Sequence, residues 1–470
     1  MSYEIDADYT RVFMFPPSLE DMVLEDDPVR FIRTFVDSLD LKTLGFKVRK
    51  NVEGRPCFST SLLLKIWLFG SFERIHSSRS LERQCKRDIA LMWLSGMNYP
   101  DHNTLWRFFK NNKRSIKNLF KESVRVALKN KLVGMVYHAI DGTKISANAS
   151  RFKGLNKEEM KQLLVRLDDY VESMTRTVEE NATKGVDDRL PKELQDAQEL
   201  QKRVQENVES LQKKRNGTLS PVDIESRKMR TNRGTIEFAY NAQAVADQKV
   251  GIIVGGEVSQ AETDSHLLST MLKETNETAG GNAKSSIADA GYFSGDEMQK
   301  AESPECSTEV YVNIPVEHNR SADKMSGDMY HSNNFIYNKE RDVFVCPEGK
   351  ELIRQRDNGE YIIYFCRNFS SCPKRGLCTA SKRSKVLTMH CCHESIRRHK
   401  QKVAQETAQM LLKQRGSLIE RVFGWIKEQY GLRRFLSRGL ENARAWWYFA
   451  CTVYNLRKIV RYTNGNVLTI

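Results

Sequence analysis

The chain has 470 residues, too many for one ordinary compact domain and enough for two to four of roughly 150 residues each. With 40% hydrophobic and 29% charged residues it is no disordered polymer, and no run of about 18 apolar residues offers a membrane span. Seventy-four Lys plus Arg against sixty Asp plus Glu give a net +14, which points to a polyanionic partner, nucleic acid above all.

The acidic opening, MSYEIDADYTRVFMFPPSLEDMVLEDD, lacks the basic and apolar regions of a secretory signal, so a cytoplasmic location is expected. Residues 1 to about 130 read as helical. STSLLLKIWLFGSFERI has helical apolar spacing from Leu62 to Phe72, SLERQCKRDIALMWL resumes with Ser80 as a candidate N-cap, and Asn103 or Thr104 could cap the basic, aromatic TLWRFFKNNKRSIKNLF. Short helices with a turn before a basic one have the layout of a helix-turn-helix unit, although helical bundles without DNA contact share it. MVYHAIDGTKISANA then changes to strand alternation, with the run expected to end at Asp141-Gly142. Residues 151–225 hold a polar tract whose Leu190, Leu194, Leu200, Val204, Val208 and Leu211 suggest an inserted helical hairpin, with breaks at Pro191 and Gly217. Two antiparallel strands, Phe238 to Ala246 and Val250 to Val258, follow around a turn at Asp247. A helix with Thr263 or Asp264 near its N-cap, a strand ending at Asp289, another helix and the strand STEVYVNIP lead into a Cys-rich insertion at 340–400 and two strongly helical terminal segments. The order of strands and helices after residue 130 matches a ribonuclease-H-like layout.

The positive charge is concentrated. Arg367 to Lys402 carries ten basic residues and one acidic, and Arg421 to Arg461 carries nine and two. Such regions fit phosphate, and equally a solvated basic face.

Three acids stand out. Asp141 in HAIDGT and Asp289 in SIADAGYF each follow apolar strand residues, and Glu420 lies in SLIERVFGWIK with Lys427 two helical turns on. Singly each has an ordinary reading, Asp-Gly as a turn and Glu420 as a solvated helix residue. Together, three carboxylates on separate elements could hold two divalent ions for an in-line displacement at a phosphodiester. Asp247 in its turn and Asp264 at a helix start are read as structural, and His138, Trp446 and Trp447 as core residues.

HAIDGTKISANAS, IADAGYFS and IERVFGWIK, with FPPSLEDMVLEDDPVRFIRTFVDSLDL, SSRSLERQCKRDIALMWLSGMNYPDHNTLWRFF and FAYNAQAVAD, resemble the DDE transposases of bacterial insertion sequences, in the broad group of the fourth and fifth families and most like the 1182 type. The resemblance covers nearly the whole chain. It implies an α+β or α/β chain with a helical DNA-binding region at 1–130 and a ribonuclease-H-like catalytic domain at 131–470. By motif position Asp141, Asp289 and Glu420 match the catalytic triad, holding Mg2+ or Mn2+. Lys427 matches the family's lysine, and Arg415 is its arginine although four residues, not three, separate it from Glu420. The family's tyrosine has no clear match, and no Trp lies between Asp289 and Glu420. Arg433 and Arg434, in the second basic segment, are further DNA-binding candidates. The implied activity is cleavage at terminal inverted repeats and transfer of 3′ ends to target DNA, by a homodimer that synapses two double-stranded ends in a nucleoid-associated setting. No GxxxxGK[ST] loop is present, so no nucleotide cofactor is expected. A non-catalytic DNA-binding derivative and a structure-selective ribonuclease-H-like nuclease are the rival readings.

Of ten cysteines, Cys57, Cys85, Cys306 and Cys451 sit alone and read as core. Cys346, Cys366, Cys372 and Cys378 could close a tetrahedral zinc site or form a reduced Cys-rich loop, their spacings being wider than a zinc ribbon's tight pairs. His390, Cys391, Cys392 and His393 are alternate ligands, but His-Cys-Cys-His has no spacing suited to one ion.

Overall fold

The computed structural model describes residues 18–48, 57–183, 192–212, 217–231, 234–304, 306–315, 329–330, 334–379, 381 and 383–463. The expected break at Pro191 lies outside them. Two compact units emerge, the first of Met1–Glu262, Lys273–Asn282 and Gly416–Ile470, the second of Thr263–Leu272 and Ala283–Arg415. Among the described residues no helix is long and apolar enough to cross a membrane.

The first unit opens with seven helices: α1 (Leu19–Met22), α2 (Pro28–Asp37), α3 (Thr60–Phe72), α4 (Ser78–Gln84), α5 (Ile89–Ser95), α6 (His102–Asn111) and α7 (Ser115–Lys129). Capping side chains set most of their starts. Asp27, Ser59, Asp88 and Asp101 each accept a hydrogen bond from a first-turn N–H. Asp101 therefore replaces Asn103 or Thr104 as the cap of α6, and α4 starts at Ser78 rather than after Ser80. The basic segment expected as one helix divides at Asn112. Its buried amide takes the Lys47 N–H at 2.8 Å and donates to the Phe108 carbonyl, which closes α6 before α7 begins.

Strand β1 (Tyr137–Ser146) follows, then the inserted hairpin of α8 (Lys157–Thr183) and α9 (Lys192–Gln212), β2 (Arg227–Arg230), β3 (Ile236–Asp247) and β4 (Ile253–Ser259). In the hairpin Val204, Val208 and Leu211 are buried against Met160 and Leu194 is buried as well, whereas Leu200 is exposed and Leu190 lies outside the described residues. β3 is central, antiparallel to β1, β2 and β4. The short β2 was hidden by its polar sequence, RKMR, which alternates buried and exposed residues.

Next in the chain come α10 (Leu268–Ala279), β5 (Ser285–Ala288), α11 (Gly295–Ala301) and β6 (Glu309–Val312). Helix α10 starts at Leu268, so Thr263 and Asp264 lie ahead of it rather than at its cap. In the second unit β5 and β6 pair in parallel. The Cys-rich segment holds β7 (Ile336–Asn338), β8 (Val343–Val345), β9 (Glu351–Asp357), β10 (Tyr361–Cys366), α12 (Arg375–Cys378) and β11 (Val386–His390). Its strands form a five-stranded antiparallel sheet in the order β11-β10-β9-β8-β7, around Phe344, Leu352, Tyr364, Phe369, Leu387 and Met389. Helices α13 (His393–Val403), α14 (Glu406–Gly424) and α15 (Leu440–Thr463) complete the chain.

Helix α15 is buried for most of its length in the first unit. Trp446 stacks on Phe109 at 4.2 Å and meets Trp67 edge-on at 5.9 Å, tying α3, α6 and α15 together. Trp447 is fully buried and donates its indole N–H to the Gln243 carbonyl at 2.9 Å. Cys85 and Cys451 are buried as expected, whereas Cys57 is exposed and Cys306 half-buried.

Candidate active site and nucleic-acid interface

In the first unit Asp141 sits in mid-strand, not at a strand end. β1 runs on to Ser146 because β3 pairs with it from His138↔Asp247 through Asp141↔Ala244 to Ser146↔Ala239, so Asp-Gly here is ladder rather than turn. The half-buried Asp141 accepts the Gly142 N–H at 2.8 Å through Oδ1. Buried neighbours Ala139, Ile140, Thr143 and Ile145 fix the strand that carries it. His138 and Asp247 have the structural roles expected of them. Asp247 Oδ1 and Oδ2 accept the N–H groups of Gly134, Lys249 and Met135 at 2.8–2.9 Å, and His138 Nε2 lies 3.5 Å from Oδ2. Burial pushes the Asp247 carboxyl up, but the His138 imidazole and those three amides outweigh it and hold it below the usual carboxylate range.

Glu420 is exposed on the part of α14 that belongs to the first unit, beside the buried Leu418, Ile419, Val422 and Phe423. A Cβ on Gly416, one turn earlier, would stand 3.1 Å from Glu420 Oε1, so the missing side chain makes room for the carboxylate. Lys427 does not share Glu420's face in the simple α-helical phase. Trp425–Gln429 form a π-helical turn, which Tyr430 N–H closes onto the Trp425 carbonyl at 2.8 Å, and its wider winding rotates Lys427. Both Lys427 and Arg415 are half-buried. Arg433 pairs with Glu428. Arg434 donates to the carbonyls of Ala147 and Ala149 at 3.1 and 3.0 Å, and so clasps the chain just beyond β1.

The first unit also contains an open cavity of about 640 Å³. Its walls combine Arg74, Arg83 and His76 with the hydroxyls of Ser77, Ser78 and Ser80 and the rings of Trp67, Trp106 and Trp446. Arginines, hydroxyls and the exposed Trp106 in one hollow are the groups that grip phosphates and stack bases, whereas Trp67 and Trp446 are buried against each other and Phe109. Sequence reading found the basic α6 region but not this hollow, since its residues come from α3, the α3–α4 turn, α4, α6 and the C-terminal segment.

In the second unit Asp289 directly follows β5, at a strand end as its motif suggests, and caps a short 3₁₀ turn by accepting the Gly291 N–H at 2.9 Å. A Cβ on Gly291 would lie 3.0 Å from Asp289 Oδ1 and 3.6 Å from Asp264 Oδ2. The bare glycine thus leaves one space bordered by two carboxylates, and Asp264 stands nearer this site than a capping role implies. No sequence signal marks that neighbourhood, because Asp264 reaches it from an irregular loop.

Cys346, Cys366, Cys372 and Cys378 are all thiols around one small cavity of about 20 Å³, with Lys350, Lys374 and Lys385 in its wall. Lys350 N–H donates to Cys346 Sγ at 3.3 Å. Burial pushes the Cys366 and Cys378 thiols up. Four convergent sulfurs fit zinc in chemistry. Among the described residues, however, they do not form a set whose ligand atoms all lie within 4.8 Å of one another.

The model of a transposase domain (DUF772) matches residues 17–111, the helical start of the chain. The model of a transposase DDE domain matches residues 345–460, which include the four cysteines, Arg415, Glu420, Lys427, Arg433 and Arg434. No curated protein and no solved structure matches the chain. Two separate segments, one near each end, are thus similar to transposase domains.

Proposed function

We propose that the chain is a metal-dependent transposase of the 1182 type, cutting DNA at the terminal repeats of its element and joining the 3′ ends to a target. The observation that carries this reading is the match of a DDE transposase domain to the segment with Glu420 and Lys427. Asp141, Asp289 and Glu420 are the metal-holding carboxylates. Their donor set fits, since hard divalent ions take carboxylate oxygens and few of them from protein. Asp141 and Asp289 are held by adjacent β-structure and by backbone N–H bonds to one oxygen each. Bound Mg2+ or Mn2+ would lower the pKa of an attacking water or hydroxyl and stabilise the departing oxygen. Lys427, Arg415, Arg433 and Arg434 steady the phosphates, and the hollow between Arg74, Arg83 and Trp106 takes a nucleotide of the bound end. A ribonuclease-H-like core at 131–470 is supported by the antiparallel β1, β3 and β4 followed by the parallel pair β5 and β6. Residues 1–130 serve as the DNA-binding region, and a homodimer holds the two ends.

The test is cleavage of a supercoiled plasmid carrying the coding sequence with its native flanking DNA, with and without magnesium. Asp141→Asn, Asp289→Asn and Glu420→Gln should each lower cleavage by roughly 10³-fold or more, the scale on which charge-stabilising groups act in phosphoryl transfer. Retained cutting by any of the three removes that residue from the site. Binding without cutting by the unaltered chain supports the non-catalytic rival, and cutting without joining supports the nuclease.

A further inference from the structure

The second unit holds another group of metal-ligand side chains, distinct from the four-cysteine cavity. Asp296, His390, Cys391 and Cys392 each offer a ligand atom, and these atoms all lie within 4.8 Å of one another. Three come from consecutive residues where β11 gives way to α13, and the fourth from the first turn of α11. Spacing along HCCH suggested no single-ion site because it counted His393 as the fourth ligand. That ring turns instead to Tyr337, at 6.1 Å between centroids. The fourth ligand is 94 positions upstream, which no local spacing reveals.

We propose that these four side chains bind one zinc ion. The distances within the group are those of a ligand shell. Cys391 Sγ lies 3.6 Å from Cys392 Sγ and 3.7 Å from His390 Nδ1, and Cys392 Sγ lies 3.4 Å from Asp296 Oδ1. Zinc–sulfur bonds of about 2.3 Å and zinc–nitrogen or zinc–oxygen bonds of about 2.0 Å give tetrahedral edges of about 3.5–3.8 Å wherever a sulfur stands at one end. The three measured edges therefore need almost no change to close around an ion. Local structure holds them there. Cys391 N–H donates to the Glu360 carbonyl at 2.9 Å. The His390 ring lies against Gly295, where a Cβ would come within 2.3 Å of Cε1, and meets the edge of Tyr361 at 5.2 Å. Cys392 N–H donates to His390 Nδ1 at 3.0 Å, so the proton is on Nε2 and Nδ1 carries the lone pair. An ion would take over that lone pair. Cys392 is buried and Cys391 exposed, so the site is anchored on one side and reachable from the other.

Two thiolates, an imidazole and a carboxylate form a set that zinc accepts and that hard magnesium does not favour. Its consequence is a cross-link: α11 is tied to the β11–α13 junction. The proposal is independent of the transposase reading, and its readout is metal content rather than activity.

The experiment uses the purified full chain, zinc by elemental analysis and cobalt(II) as a spectroscopic substitute. His390→Gln with Cys391→Ser, both outside the buried core, should remove one equivalent of zinc relative to the unaltered chain. Cys346→Ser with Cys372→Ser should leave that equivalent in place. In this second background, cobalt should give an intense thiolate charge-transfer band that Cys391→Ser weakens and Asp296→Asn shifts. Equal zinc content in the unaltered chain and the His390→Gln/Cys391→Ser variant, or a cobalt spectrum indifferent to Cys391 and Asp296, overturns the proposal.

Discussion

The sheet of β1 to β4 and the sheet of β7 to β11 solve the same problem with different material. In the first, β3 is buried along nearly its whole length, and α15 covers β4 with Trp447 and its neighbours. In the second, β9 is exposed over its last four residues, β8 has three residues, and the core has eight buried side chains. A sheet with that little apolar cover is marginal by burial alone. Four thiols around one cavity lie where the apolar core runs short. Closure comes from area in one region, whereas in the other Cys346, Cys366 and Cys378 make up part of a small core.

The largest test of this contrast removes the area. Trp447→Ala should cost about 3–5 kcal/mol, as large aromatic truncations in cores do. Amide hydrogen exchange should speed up in β3 and β4 and stay unchanged in β9 and β10. Equal acceleration in both sheets would erase the distinction. The reciprocal perturbation removes the zinc proposed for Asp296, His390, Cys391 and Cys392. With zinc at about 100 times its dissociation constant, chelation withdraws about 2.7 kcal/mol. Exchange should then rise in α11 and β11 and not in β3, and chelation should change nothing once His390 is glutamine and Cys391 is serine.

What was legible in the sequence divides along the same line. Apolar runs marked α3, β3, β4 and α15, which are buried in nearly unbroken stretches, and the inserted hairpin showed itself by the repeating pattern that one buried face leaves. The five short strands of the Cys-rich segment leave no such pattern, and its cysteines drew attention to ligands instead of to a sheet. The acids were legible as residues but not in setting. Asp141 reads as the end of a strand because Asp-Gly usually turns, and only pairing with β3 carries the strand past it. The π turn that rotates Lys427 is likewise silent in the sequence, since WIKEQ is ordinary helical material.

A smaller effect separates buried polar closure from both of these. Asp247 fixes the turn into β1 through three amides, and its carboxyl is held below its ordinary value. The unfolded value being about 3.9, its stabilisation is complete above about pH 4 and is lost as pH falls through the lower folded value. Asp223 has the opposite sign. Burial raises its carboxyl, although Tyr240 donates to Oδ1 at 2.6 Å, so its charged form opposes folding as pH rises past the unfolded value. Asp247→Asn should therefore flatten the acid limb of unfolding below about pH 4, whereas Asp223→Asn should flatten the region just above it. Identical profiles for the two variants would show that the amides around Asp247 do not set its charge.

The smallest expected effect lies on α14, where the scaffold meets the proposed site. A glycine inside a helix costs about 1 kcal/mol relative to alanine. Gly416 and Gly424 both lie in α14, and they differ in what a Cβ would meet: Glu420 Oε1 at 3.1 Å for Gly416, and nothing within 4 Å for Gly424. Gly424→Ala should therefore raise stability by up to about 1 kcal/mol and leave magnesium-dependent cleavage alone. Gly416→Ala should give a similar or smaller gain while displacing the Glu420 carboxylate, so cleavage falls although the fold does not weaken. Stability by denaturant midpoint and cleavage on the same preparations separate the two outcomes. If both variants cut DNA as well as the unaltered chain, the space that Gly416 leaves beside Glu420 has no part in placing a metal ligand, and it serves the helix alone.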